Sequence, residues 1–148
     1  MNIVNKIKEN REKGHCALIS LDIKAAFDNL NRSVLFNILE FYSIKTFYRN
    51  FIFYFLLERI GVFKDDLLEI KKICYKGLLP QGSVISPNLW NLYMNQLLSI
   101  NSDSYFIQAF AEDLVLVSGG RVRKELENNT NNALNIISDK LKELKLDL

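Results

Sequence analysis

Residues 109–117 read AFAEDLVLV, with two adjacent acids, Glu112 and Asp113, between short apolar runs. The runs at 104–110 and 113–117 each read as a strand, so the acids sit at the tip of a hairpin. Residues 16–23, CALISLDI, read as a buried strand that ends at Asp22. If strand and hairpin are neighbours in one sheet, Asp22, Glu112 and Asp113 converge at one edge. Three uncompensated carboxylates repel and raise one another's pKa. Such a cluster persists where a cation is present, and oxygen donors suit Mg²⁺ or Mn²⁺. Two such ions can activate an attacking hydroxyl and stabilise a leaving oxygen in phosphoryl transfer. A plainer reading stays open, because turns are solvated and readily hold acids. Asp65 and Asp66 are read that way.

The rest of the chain supplies a scaffold. Ile3, Val4 and Ile7 fit an amphipathic helix that Gly14 stops. Residues 32–42 carry Val34, Leu35, Ile38, Leu39 and Tyr42 at helical spacing, with Asn31 as the cap. An aromatic-rich helix runs from Thr46 to about Glu58. Residues 59–77 suggest a hairpin turning at 64–66. Residues 78–98, LLPQGSVISPNLWNLYMNQLL, form a punctuated loop entering a helix whose first turn accepts Pro87. Gly119 and Gly120 are expected to break the strand after the acid pair. A long last helix follows, with Val122, Leu126, Ala133, Ile137, Leu141 and Leu144 on one side and a solvated asparagine stretch at 128–132. This order predicts an α+β fold, a small antiparallel sheet with helices on one face.

Composition narrows the function classes. The chain has 148 residues, 49% of them hydrophobic, which suits one domain with a real core. Nineteen basic and 17 acidic residues give a net charge of +2, so charge alone marks no nucleic-acid surface. Cys16 and Cys74 are far apart in apolar settings and read as buried free thiols. His15 is the only histidine, which leaves little room for zinc ligation or for Ser-His and Cys-His catalysis. The charged start is no signal peptide, and the apolar stretch 47–63 is interrupted by Arg49, Glu58 and Arg59. The expectation is an intracellular protein, nuclear or cytoplasmic, away from membranes.

Three stretches together, LDIKAAFDNL (21–30), LLPQGSVISPNLWNLYMNQLL (78–98) and AFAEDLVLV (109–117), resemble the reverse transcriptase family. The likeness is greatest to the non-LTR, LINE-type retrotransposon kind, and it runs from about Ala17 to the end. The stretches resemble palm motif A, the PQG motif B and the F-A-D-D hairpin motif, in the family's order. The resemblance implies a polymerase palm with a ferredoxin- or RRM-like core. It also implies that fingers and thumb are largely missing, so that residues 1–148 form a single partial domain cut at both ends.

The resemblance also implies roles. Asp22 matches the metal-binding aspartate of motif A, and Ile23 matches a position that lends a backbone carbonyl to the metal. Glu112 and Asp113 match the hairpin pair, so Asp22, Glu112 and Asp113 are the implied catalytic and Mg²⁺ (or Mn²⁺) binding acids. Phe27 matches an aromatic gate beneath the sugar, although an ordinary core ring fits the same position. Gln81 and Gly82 match the pair lying against nucleotide and template, although Pro-Gly turns are common. Asp28 is assigned no chemistry. The implied partners are an RNA template, a DNA primer and a dNTP. Glu112 departs from the family's aspartate by one methylene, and Mg²⁺ accepts little distortion. That departure keeps open a catalytically inactive relic that binds nucleic acid or a protein. An interaction module built on the aromatic helix 47–55 and an intron maturase are further readings.

Overall fold

The computed structural model describes residues 2–57, 60–65, 68–73, 79–80 and 82–148. Helix α1 (Ile3–Lys13) leads into strand β1 (His15–Asp22), and a four-residue helix α2 (Ala26–Asn29) follows. Helices α3 (Arg32–Phe41) and α4 (Thr46–Leu56) precede a separate hairpin, β2 (Ile60–Asp65) with β3 (Leu68–Ile73). Helix α5 (Ser86–Leu98), strands β4 (Tyr105–Phe110) and β5 (Asp113–Gly120), and helix α6 (Arg123–Glu143) complete the α+β order. Two asparagines cap helices, Asn31 as expected and Asn2 in addition. The Asn2 side chain accepts from the Asn5 amide at 2.9 Å, and the Asn31 side chain accepts from the Val34 amide at 3.2 Å. Each satisfies an amide that a helix start leaves without an intrahelical partner.

The main sheet has the order β1-β5-β4, antiparallel throughout, with β5 in the middle. Its period-2 alternation puts Ile19, Leu116 and Ile107 side by side on one face, and Leu21, Leu114 and Ala109 beside them. Helices α5 and α6 bury this face with Leu89, Trp90, Tyr93, Ala133, Ile137 and Leu141. Each fully buried Leu or Ile contributes about 1.5–3 kcal/mol relative to exposure. The opposite face carries Asp22, Ser20, Leu18 and Cys16 of β1 across from Asp113, Val115, Val117 and Gly119. Helix α1 covers the Gly119 end of this face, where the Asn10 side chain touches Gly119 and Cys16, and Val117 of β5 is still buried. Toward Asp22 the face is open, and Leu18 is 59% exposed.

Several expectations are corrected here. Strand β1 is half-open rather than buried, because α1 reaches one end of its outer face only. Cys16 is a half-buried free thiol, and Cys74 lies outside the described residues. Helices pack on both faces of the sheet, not one. The buried residues of α1 are Lys6 and Asn10, while Val4 is 58% exposed. Lys6 donates to the Asp103 carbonyl at 3.0 Å and sits 3.5 Å from Glu9, so its buried head is satisfied. Strand β5 continues through Gly119 and Gly120. A Cβ at Gly120 would come within 2.3 Å of the Leu126 amide nitrogen, so glycine lets α6 start against the strand. Val122 precedes α6 as its cap and is exposed, and Asn129 leaves the solvated face to donate to the Gly119 carbonyl at 2.8 Å. Lys64 and Asp65 belong to β2, and Asp66 lies outside the described residues. Helix α4 buries Ile52 and Leu56 and exposes Phe47, Phe51 and Tyr54, so burial gives no argument against an interaction role.

The two glycines give a stability test. Gly120→Ala drives a methyl into α6 backbone and should lose about 1–3 kcal/mol in urea unfolding. Gly119→Ala meets only the end of the Asn10 side chain, which can swing aside, and should lose clearly less. Equal losses would contradict this packing.

Candidate active site

The acids meet through strand pairing. Asp22 and Asp113 are the last partners of the β1–β5 ladder. The Ile23 amide donates to the Glu112 carbonyl at 3.3 Å, so residues 23 and 112 form the hydrogen-bonded step. Alternation then makes Asp22 and Asp113 a narrow pair, the kind that sets Cα atoms about 4.5 Å apart. Their side chains leave the same, open face and both residues are exposed. Phe110 pairs with Asp113 on the other side, leaving Ala111 and Glu112 as a two-residue turn. Ala111 has φ 51, the left-handed conformation that such tight hairpins demand.

Beside the pair lies an open cavity of about 250 Å³, walled by Asp22, Ile23, Ala25, Phe27, Asp28 and Glu112 among others. Three of the four acids around this edge therefore line the cavity, and Asp113 flanks it. Asp28, given no role by sequence, is on the wall. Among the described residues, no three acid, histidine or cysteine side chains stand close enough together to hold a metal ion by themselves. The donor chemistry still fits a hard cation. Mg²⁺ keeps several waters and commonly takes one or two carboxylates plus substrate phosphates rather than an all-protein cage.

Motif B reaches the cavity through Phe27. The Phe27 carbonyl accepts from the Leu79 amide at 3.3 Å, which brings Leu79 alongside α2. Gly82 has φ 83 with open space where a Cβ would be, so backbone conformation, not crowding, favours glycine there. Gln81 lies outside the described residues. The Phe27 ring is half-buried, 5.0 Å from the ring of Trp90.

Trp90 is the functional candidate that sequence reasoning missed. It is 2% exposed, and its indole Nε1 donates to the Ala111 carbonyl at 2.9 Å. It therefore ties α5 to the hairpin tip. The Tyr93 ring lies parallel to the indole at 6.3 Å, and the Tyr93 hydroxyl donates to the Leu144 carbonyl. Just beyond, the Asp147 carbonyl accepts from the Lys24 amide at 3.0 Å, closing a circuit back to the loop after β1. The available signal was the single tryptophan of the chain, lying inside a motif.

Two outcomes follow from this geometry. Like charges directly opposite in a narrow pair repel. Asp22→Asn should raise stability by roughly 0.2–1 kcal/mol in low-salt buffer with EDTA, and a loss would contradict the pairing. Burial pushes the Tyr93 hydroxyl up to about 12. The unfolded chain then loses this proton first, near the ordinary tyrosine value, so Tyr93 contributes stability that is full below pH 10 and lost as pH rises through about 12. Tyr93→Phe should flatten that alkaline fall in urea midpoints measured from pH 9 to 12. An unchanged slope would contradict it.

Comparison with known proteins identifies the family. A family model described as reverse transcriptase (RNA-dependent DNA polymerase) matches residues 2–148. The chain is 39% identical over 59 residues to a retrovirus-related Pol polyprotein from type-1 retrotransposable element R1 of Nasonia vitripennis, covering 39% of this chain and 18% of that protein. It is 32% identical over 117 residues to the R1 Pol polyprotein of Bradysia coprophila, covering 74% of this chain and 11% of that protein. The matched part is thus a small fraction of each relative's length. With the family model running over nearly every residue and retrotransposon Pol polyproteins among its relatives, the chain belongs to the reverse transcriptase (RNA-dependent DNA polymerase) family, of the non-LTR retrotransposon kind.

Proposed function

We propose that this chain carries the palm of an RNA-directed DNA polymerase, with its catalytic centre on the open face at the Asp22–Asp113 pair. The single observation behind this reading is that the two aspartates are direct cross-strand partners in a narrow pair. Asp22 and Asp113, with the Ile23 carbonyl and Glu112, would hold Mg²⁺ or Mn²⁺. Bound there, the cation would supply activation of a primer 3′-hydroxyl and neutralisation of charge on the dNTP phosphates. The chain's own residues do the positioning. Asp22 and Asp113 present carboxylate oxygens on the solvent side of a rigid ladder. Phe27, braced on Trp90, forms a flat wall of the cavity where a ribose 2′-hydroxyl would collide, which favours a dNTP. Gly82 offers bare backbone to a base or sugar, and Gln81 is its proposed neighbour in that contact. The partners of this reading are an RNA template and a DNA primer.

Glu112 lowers the expected rate. Its extra methylene displaces a carboxylate by roughly 1 Å, and a shift of that size at a reacting centre costs about 10²-fold. This departure also favours a second reading, a chain that binds nucleic acid or a protein partner without catalysis.

Primer extension on an RNA template with a DNA primer separates the two. The first reading expects extension in Mn²⁺, loss of it in Asp22→Asn and Asp113→Asn, and a gain toward about 10²-fold in Glu112→Asp. Equal incorporation by Glu112→Asp and the parent would reject the role given to Glu112. Absence of extension from every variant, with Mn²⁺ binding retained, would favour the second reading.

A further inference from the structure

We propose that Trp90 is a positioning residue for the acid hairpin, its indole N–H setting the height of the tip that carries Glu112 and Asp113. The inference rests on the polymerase reading of the acid pair only for its consequence in cation binding. The strut itself stands on geometry.

Ala111 is the first residue of a two-residue turn and takes a left-handed conformation without glycine's freedom. For a residue with a Cβ this conformation costs roughly 1–2 kcal/mol, so something must hold it. The hold visible here is the Nε1–H···O bond from Trp90, 2.9 Å long, to the Ala111 carbonyl. The peptide joining Ala111 to Glu112 carries that carbonyl, and the Glu112 carbonyl in turn accepts from Ile23 at the foot of the Asp22 strand. Rotating the first peptide moves the second, and with it the Asp22–Asp113 approach.

Trp90 is itself held by two rings. Phe27 packs against it at 5.0 Å and Tyr93 stacks on it at 6.3 Å. Phe27 is also the wall of the cavity beside Asp22. The indole thus links gate ring and hairpin through one rigid body. A phenylalanine would keep the ring contacts and lose the tie, and only tryptophan's ring N–H reaches the carbonyl from this position.

The test uses the full chain and two variants. Trp90→Phe removes the N–H. Replacing Trp90 by benzothienylalanine puts sulfur in place of the N–H, keeps the ring outline, and guards against misfolding of the first variant. Amide hydrogen exchange is followed by NMR at Ile23 and Asp113, whose amides are bonded at the tip, and, as reference, at Ile107 and Leu116 deep in the same sheet. Mn²⁺ affinity is measured in parallel by water-proton relaxation. The expected result is a roughly fivefold faster exchange at the tip, the equivalent of one hydrogen bond, with Ile107 and Leu116 unchanged. Mn²⁺ binding should weaken by a similar factor. Tip exchange that stays as in the parent, or acceleration spread evenly over the hairpin, would overturn the strut, the latter reducing Trp90 to a core residue. A parent chain that binds no Mn²⁺ would instead overturn the cation reading of the acids, together with the consequence drawn for Trp90 there, while exchange still decides the strut.

Discussion

The β1–β5 ladder is the constraint on which the rest of this structure depends. Eight successive pairs run from His15↔Gly120 to Asp22↔Asp113. Side chains alternate with period 2, so a slip of β1 by one residue would turn Asp22 into the core, away from Asp113, and bring Leu21 to the surface. Leu114 and Leu116, fully buried, with their half-buried partners Leu21 and Ile19, therefore set the register, and the register sets the site. Hydrophobic burial on one face specifies carboxylate geometry on the other. This explains how two like charges stay face to face in a ladder that they oppose. Their repulsion is worth a fraction of a kcal/mol, whereas each buried leucine contributes several times as much.

Two residues beside the acids have strained backbone. Ala25, before α2, and Ala111, at the hairpin turn, both have positive φ, 45 and 51. Each flanks one of the two acid-bearing segments. The loop after β1 is clamped by the Asp147 carbonyl on Lys24, and the turn by Trp90. Strained residues persist where the surroundings over-determine them. Here the surroundings are a column of rings, Phe27, Trp90 and Tyr93, rooted at the end of α6.

Much of this was legible in the sequence. Alternation around Glu112 and Asp113 predicts the hairpin, and the apolar run before Asp22 predicts its strand partner. Asn31, Pro87 and the spacing of α6 mark helix positions by local chemistry. The motifs bring the family into view before any coordinates. What could not be read is tertiary. Gly119 and Gly120 look like strand breakers until helices are seen against them. Lys6 and Asn10 look like the solvated side of α1, yet they are the buried side, because that helix packs on a polar strand end. Asp28 joins the cavity only through the turn of α2. Trp90 reads as one more apolar position in a helix, since nothing local says that a hairpin carbonyl lies within its reach.

A cross-strand disulfide tests the central geometry most directly. Narrow antiparallel pairs place Cα atoms within the range that a disulfide spans. With Cys16 and Cys74 changed to serine, the double variant Asp22→Cys/Asp113→Cys is air-oxidised and its free thiols are counted. Rapid, intramolecular closure without loss of the folded circular-dichroism spectrum is expected. Thiols that stay free, or that pair only between molecules, would show that the two positions do not face each other and would remove the basis of the proposed catalytic centre.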